Sequence, residues 1–237
     1  MTDNKIFLTI VIPARNEEEN IEYTIDSIIP FIDRNSTEII VVNDHSSDRT
    51  EEIVKTILKK EPIVKLVSNV DEPGFANALK TGFRHAKGEF VLPVMADGCD
   101  HAETISLMLD KARDGYEIVC GCRYMKNGGK EGGPRLQGFF SKFVCLSLYY
   151  LIKIPTKDVS NAFKLYKRDI LQKLHLKEKG FAISMEITLK FFFKGYKICD
   201  VPTFWSGRKK GKSKFKLSKT FPYVRLYLWA LAKAMTK

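Results

Sequence analysis

This 237-residue chain lacks a disulfide framework. Its five cysteines (Cys99, Cys120, Cys122, Cys145 and Cys199) are odd in number, and Cys120-Gly121-Cys122 is too tight for a zinc pair, with no second pair downstream. Reduced, mostly core thiols in a cytosolic protein are expected. No apolar run approaches the ~20 residues that cross a bilayer. The two longest are residues 143–152 (FVCLSLYYLI) and 226–232 (LYLWALA). The first twenty residues, acidic early and interrupted at Pro13, do not read as a secretory leader. The first strand–helix turn has no G-x-G-x-x-G, which argues against a dinucleotide site. GRKKGKSK (207–214) fails as a P-loop because Gly207 lies one residue too close to Gly211. His45, His85, His101 and His175 show no metal-ligand spacing.

Acid is missing from the end of the chain. Residues 201–237 carry ten basic side chains and no acidic one, whereas residues 1–60 carry seven basic and twelve acidic. With a net charge of +11, the one-signed tail points to an anionic partner: nucleic acid, a phosphorylated ligand or a membrane surface.

What is present is a regular alternation. Apolar runs at 5–13, 36–44, 62–69, 89–97 and 116–124 read as buried strands, and periodic segments at 16–32, 46–60, 75–88 and 102–115 read as helices. Ser46 or Ser47 is the expected N-cap of the second helix. Strands alternating with helices at this spacing predict an α/β fold: a mainly parallel sheet with helices on both faces. Ligands of such sheets sit at the carboxyl ends of the strands. Those ends read Pro13-Ala14-Arg15-Asn16-Glu17, Asn43-Asp44-His45, Ser68-Asn69, Asp97-Gly98-Cys99-Asp100 and Cys122-Arg123-Tyr124. After residue 125 a mobile Gly-rich loop (125–134), an apolar helix (139–153), a helix near 181–193, a short strand near 196–202 and a terminal amphipathic helix are expected.

The stretches IVIPARNEEENI, EIIVVNDHSSDRT, GFANALKTGFRHAKGEFVLPVMADGCDH, VCGCRY, DVSNAFKLY and VPTFWSGRKKGKSKF run in order through nearly the whole chain. This ordered set resembles family 2 glycosyltransferases of the GT-A fold, and most closely their dolichol- or polyprenol-phosphate sugar transferases. The resemblance implies a nucleotide-sugar-binding half (1–125), an acceptor-side half (126–218) and a C-terminal amphipathic helix (219–237). Pro13, Ala14, Asn16, Glu17 and Asp44 match positions that bind the nucleotide sugar, and Asp97 matches the second aspartate of a D-x-D metal motif. Arg123 matches the arginine near the diphosphate and the acceptor phosphate, Ser141 a serine on the acceptor side. Arg208, Gly211, Ser213 and Lys214 match a late R-x-x-G-x-S-K loop that closes over the phosphates. Asp97, Arg123, Arg208 and Lys214 are thus the candidate catalytic set, and Ser141, Asp158 and Ser213 the candidate acceptor set.

The sequence departs from the family pattern at several points. Met95 stands where the first D-x-D aspartate belongs, so the metal pair becomes Asp97 with Asp100, holding Mg2+ or Mn2+ with help from phosphates and water. The arginines expected shortly before Ser141 are Gln137 and Gly138. Asp100 reads equally as a helix cap, Glu17 as a first-turn helix acid, Asp158 as a turn cap, and Glu186 as the partner of a basic side chain.

The chemistry follows from the groups. A departing nucleoside diphosphate gains charge, which a metal on Asp97 and nearby cations would stabilise. An ionised lipid phosphate needs no base to attack, so positioning does most of the work, and far-side attack inverts the anomeric centre. The implied partners are a GDP- or UDP-linked sugar donor, a polyprenyl or dolichyl phosphate, a membrane surface on the cytoplasmic side, and a membrane-anchoring protein. Phe140, Phe143, Val144, Ser147, Leu148 and Leu151 fall on one broad helical face, and Tyr223, Tyr227 and Trp229 mix with Arg225, Lys233 and Lys237. Aromatic plus basic residues in helices too short to span suit a membrane interface; packing on the core is the competing reading. Alternative functions are transfer to a glycan hydroxyl and an inactive GT-A scaffold. Nucleic acid is not an expected partner, because the ordered motifs outweigh bare charge.

Overall fold

The computed structural model describes residues 6–208 and 220–236. The first half follows the alternation read from the sequence: β1 (Leu8–Ala14), α1 (Ile21–Ile28), β2 (Thr37–Asn43), α2 (Thr50–Leu58), β3 (Val64–Ser68), α3 (Phe75–His85), β4 (Phe90–Pro93), α4 (Thr104–Arg113) and β5 (Ile118–Cys122). Then come β6 (Gly129–Glu131), α5 (Arg135–Ile152), β7 (Lys164–Lys167), α6 (Arg168–Leu171), α7 (Ile183–Phe193), β8 (Ile198–Pro202), β9 (Phe204–Ser206) and α8 (Phe221–Met235).

Among the described residues a seven-stranded sheet runs β3-β2-β1-β4-β7-β5-β8, and β6 pairs with β9 in a second, two-stranded sheet. Only β7 runs antiparallel to its neighbours in the large sheet. The chain winds outward from β1 to β3, then returns to β4 on the other side of β1. This reversal opens a crevice at the carboxyl ends of β1 and β4, where open α/β sheets bind ligands.

Alternation along the strands feeds two cores. Ile10 and Ile12 of β1 join Ile21 and Ile25 of α1, Val54 of α2, and Ile105 and Met108 of α4. Val11 points the other way and joins Leu79 and Phe83 of α3 and Ile187 and Phe191 of α7. Gly82 makes the second contact possible, since a Cβ there would stand 2.2 Å from a Val11 methyl. A third core lies among α5, α7 and α8, with Leu148, Leu189 and Leu226 buried.

The structure corrects several expectations. Neither Ser46 nor Ser47 caps α2; Asp48 does the local work, its carboxylate accepting the Thr50 amide and hydroxyl at 3.0 and 2.6 Å. Both serines instead hydrogen-bond Asn16, whose left-handed backbone turns the chain after β1. The first helix begins only at Ile21, and Pro30 lies in a 3-10 turn (Ile29–Phe31). The glycine-rich stretch is not wholly loop, because its residues 129–131 pair with 204–206. The long helix starts at Arg135 rather than 139, and its expected single apolar face is divided: Leu148 is fully buried while Phe140, Phe143 and Leu151 are exposed.

Candidate functional site

Three strand ends converge on the crevice. Beyond β1, Glu17 is buried, and its amide donates to Thr50 Oγ1 at 2.8 Å. Its carboxylate takes both terminal nitrogens of Arg208, at 2.8 and 3.1 Å, and the Asn20 side-chain amide at 3.1 Å. Arg208 also reaches Asp97, Nη2 to Oδ2 3.3 Å. One guanidinium from just beyond β9 thus bridges an acid after β1 and an acid after β4. A cavity of about 120 Å³ lies here, lined by Asn16, Glu17, Glu18, Glu19, Asn20, Asp48 and Arg208. A larger cleft of about 200 Å³, bordered by Leu8, Thr37 and Arg113, lies at the opposite end of the strands. We place the site at the smaller one, because only there do acids and a cation converge at strand carboxyl ends.

Pro13 and Ala14 end β1 in register with Val42 and Asn43 of β2. Asp44, next along, is buried and held rigidly: Asn69 Nδ2 donates to it at 2.7 Å, and the Gly74 amide meets both oxygens at 3.0 and 3.1 Å. Asp100 is no helix cap, since α4 begins four residues later. Its carboxylate accepts the Met95 amide at 3.0 Å. Burial pushes its pKa up to about 7, and the neighbouring Asp97 charge adds to the rise. A divalent cation beside both acids would restore the charged form, and their oxygens are the hard donors that Mg2+ or Mn2+ takes. Among the described residues no three His, Cys, Asp or Glu side chains form a metal cage. The pair therefore fits such a cation only with phosphate oxygens and water completing its shell.

On the other flank, Arg123 directly follows β5. Its guanidinium grips Asp158 with two bonds, Nε to Oδ2 2.7 Å and Nη2 to Oδ1 2.8 Å. Burial opposes the arginine's charge, but Asp158 more than reverses this and raises its pKa. Asp158 is fully buried, and it reaches its surroundings through Arg123 and through Ser160, whose hydroxyl donates to it at 3.2 Å. Lys164, also fully buried, donates to the Val159 and Asn161 carbonyls at 2.9 and 2.6 Å, tying down the segment that carries Asp158. Ser141, nearly two turns into α5, shares hydrogen bonds with Tyr124 (2.9 Å) and Ser160 (2.8 Å), and Arg123 Nη2 donates to Ser160 at 3.1 Å. Burial lifts the Tyr124 hydroxyl to about 12, so it stays protonated as a donor.

The structure brings together Glu17, Asp97 and Arg208 in one group, and Arg123, Asp158 and Ser141 in another. Gly211, Ser213 and Lys214 lie outside the described residues. Glu186 is not in the crevice; it accepts the Lys177 and Glu178 amides and pairs with Lys190 at 2.6 Å. Residues without an assigned role from the sequence are Tyr124, Ser160 and Lys164. Ser160 and Lys164 stand in the matching stretch DVSNAFKLY, which was their only signal.

The sequence profile "Glycosyl transferase family 2" matches residues 9–175. The chain belongs to that family. Among curated relatives, a dolichol-phosphate mannosyltransferase of Pyrococcus furiosus is 31% identical over 228 residues, covering 95% of this chain and 64% of the relative. This family 2 chain thus spans less than two thirds of that protein's length. A polyprenol monophosphomannose synthase of Mycolicibacterium smegmatis is 26% identical, covering 86% of this chain and 79% of the relative. A glucosyl-3-phosphoglycerate synthase from Mycobacterium tuberculosis, solved with Mn2+, UDP-glucose and phosphoglyceric acid, superposes with a TM-score of 0.70 at 20% identity, over 97% of this chain and 79% of that one. That likeness carries the fold, the GT-A arrangement expected of the family.

Proposed function

We propose that this family 2 transferase moves a sugar from a GDP- or UDP-linked donor to a polyprenyl or dolichyl phosphate, with metal assistance and inversion, at a membrane face. The two relatives named above act, by their names, on dolichol phosphate and polyprenol phosphate. The observation that carries the choice of acceptor is the state of Asp158. It is the carboxylate of the Arg123–Ser141–Ser160 group, and it is fully buried and doubly held by Arg123. A sugar hydroxyl would require a carboxylate free to take its proton. An ionised phosphate requires cations and hydroxyl donors, and this group offers them.

In this reading residues 1–125 carry the donor and residues 126–218 the acceptor. Asn16, Asp44 and the backbone at Pro13 and Ala14 hold the nucleotide; Glu17 orients Arg208. Asp97, with Asp100, would hold a Mg2+ or Mn2+ ion, which when bound neutralises charge on the leaving diphosphate. Arg208 shares Asp97 and Glu17 in the free protein, and turns to the diphosphate as donor enters. Arg123 stands between donor and acceptor phosphates. Ser213 and Lys214 complete the set from beyond the described residues.

Among the described residues no helix is long and apolar enough to cross a membrane. The membrane-facing reading rests on side chains that α5 and α8 leave exposed: Leu136, Phe139, Phe140, Phe143 and Leu151 on one, Phe221, Val224 and Leu228 on the other. Lys142, Arg225 and Lys233 are exposed among them. An apolar ridge flanked by cations suits an anionic interface.

The test is a transfer assay with radiolabelled GDP-mannose, UDP-glucose and UDP-N-acetylglucosamine, a short polyprenyl phosphate, and Mn2+ or chelator. One donor is expected to give an alkali-stable lipid-phosphate sugar, inverted at C1 by NMR, abolished in Asp97→Ala. Sugar appearing only on a glycan hydroxyl, or no turnover with any donor, would overturn the proposal.

A further inference from the structure

The lysine of β6 has no role in the chemistry described so far. Lys130 pairs in register with Trp205 of β9, and its ammonium lies 5.1 Å from the indole centre. The same Nζ comes within 3.3 Å of where a Cβ on Gly138 would stand. Lys130 therefore lies across the first turns of α5, over a position that has no side chain. Gly138 precedes Ser141 by three residues, hence on the same side of the helix. Among the described residues, no carboxylate pairs with the Lys130 ammonium. Burial first, and then the nearby charge of Arg123, lower its pKa.

The charges there do not balance. Arg123 is matched by Asp158, one for one. Lys130 is half-buried and has no matching carboxylate among the described residues. The space between them holds net positive charge where water is partly excluded, an unfavourable arrangement until an anion enters. A compact ammonium on a flexible stem can lie flat over Gly138, where a planar guanidinium fork would need more room. A phosphate monoester offers about two negative charges and three acceptor oxygens. That complements one lysine, one arginine and the hydroxyls of Ser141 and Tyr124.

We propose that Lys130 is a phosphate ligand and acceptor-specificity residue, binding the acceptor's phosphate monoester together with Arg123 and Ser141 over Gly138. This rests on the acceptor reading above. Trp205 restrains the ammonium when the site is empty and reports its movement when the site fills.

The chain has two tryptophans, Trp205 and Trp229, so Trp229→Phe leaves Trp205 as a single emitter. That protein is titrated with citronellyl phosphate, inorganic phosphate, and UDP or GDP with Mn2+. Citronellyl phosphate is expected to change Trp205 emission saturably. Lys130→Met should weaken its Kd, now read by calorimetry because the ammonium that Trp205 senses is gone, by about tenfold or more, the scale of a lost charged hydrogen bond, while the nucleotide Kd by the same method holds within about twofold. Gly138→Leu, which fills the seat without touching the charge, should do the same, and Lys130→Arg should recover only part. A citronellyl phosphate Kd unmoved by Lys130→Met would overturn the proposal, as would no saturable binding by wild type. A nucleotide Kd weakened in step would assign Lys130 to the donor diphosphate, and equal affinity for inorganic phosphate would assign it to free phosphate; both overturn the acceptor assignment. Should Lys130-dependent binding stand while the transfer assay with polyprenyl phosphate stays blank, the proposed function fails and the phosphate site survives.

Discussion

Arg123 and Asp158 make the most consequential pair in the molecule at the scale of single residues. They lie 35 positions apart in sequence, and each is nearly or fully buried. Removing one partner from such a pair leaves an uncompensated buried charge, at a cost of roughly 3–5 kcal/mol. Asp158→Asn is expected to lower stability by that order in chemical denaturation. It should also reduce acceptor turnover while leaving nucleotide Kd nearly unchanged, because Glu17, Asp97 and Arg208 form a separate group. Equal loss of nucleotide affinity would move the pair to the donor side. Little of this was legible beforehand. Asp158 was visible as an acid in a matching motif, but whether it faced a ligand or another residue depended on what folded beside it.

Between residues and the whole molecule, α5 and α8 decide how the protein meets its surroundings. They share a small core with α7, yet each leaves large apolar side chains outside. Phe139, Phe143 and Leu228 are 65%, 60% and 58% exposed, so changing them removes little internal packing. The triple change to serine is expected to leave the unfolding temperature within a few degrees of wild type. It should weaken co-sedimentation with phosphatidylglycerol vesicles by more than about tenfold, since each buried aliphatic or aromatic side chain contributes about 1.5–3 kcal/mol. Unchanged vesicle binding would leave the ridge without a lipid partner. Element existence was readable wherever an apolar period ran long, as in β1, β2 and α5. It was not readable for β7, which carries Lys164 and Lys167 at its ends and still occupies an inner position between β4 and β5. Nor was it for β6 and β9, three residues each, too short for any period to show.

At the scale of the whole molecule, stability should depend on acid conditions with a definite sign. Glu38 titrates below its ordinary 4.5: burial opposes this, but Lys65, Thr9 and the Lys87 amide outweigh it. Glu186 is depressed too, against burial, by the Lys177 amide, Lys190 and the Glu178 amide. With folded pKa values below the unfolded ones, the unfolded chain binds protons first as pH falls. The stability these carboxylates contribute is therefore present above about pH 4.5 and is lost as pH drops through their folded values. Unfolding temperature measured from pH 7 to 3 is expected to hold, then fall below about 4.5. Glu38→Gln should start lower and change less across that window. A variant curve parallel to wild type would remove Glu38 from the account.

The sequence by itself determined the alternating α/β order, the parallel sheet and the strand ends at which Glu17, Asp44, Asp97 and Arg123 stand. These follow from local periodicity and from the geometry of parallel strands, which need no knowledge of distant contacts. Only the tertiary structure decided that Arg208 bridges Glu17 and Asp97 across 191 and 111 positions. It also decided that Asp158 lies under Arg123, and that Lys130 lies over Gly138. Charge pairing in a partly dry crevice depends on which side chains meet through space, and spacing along the chain carries no record of that.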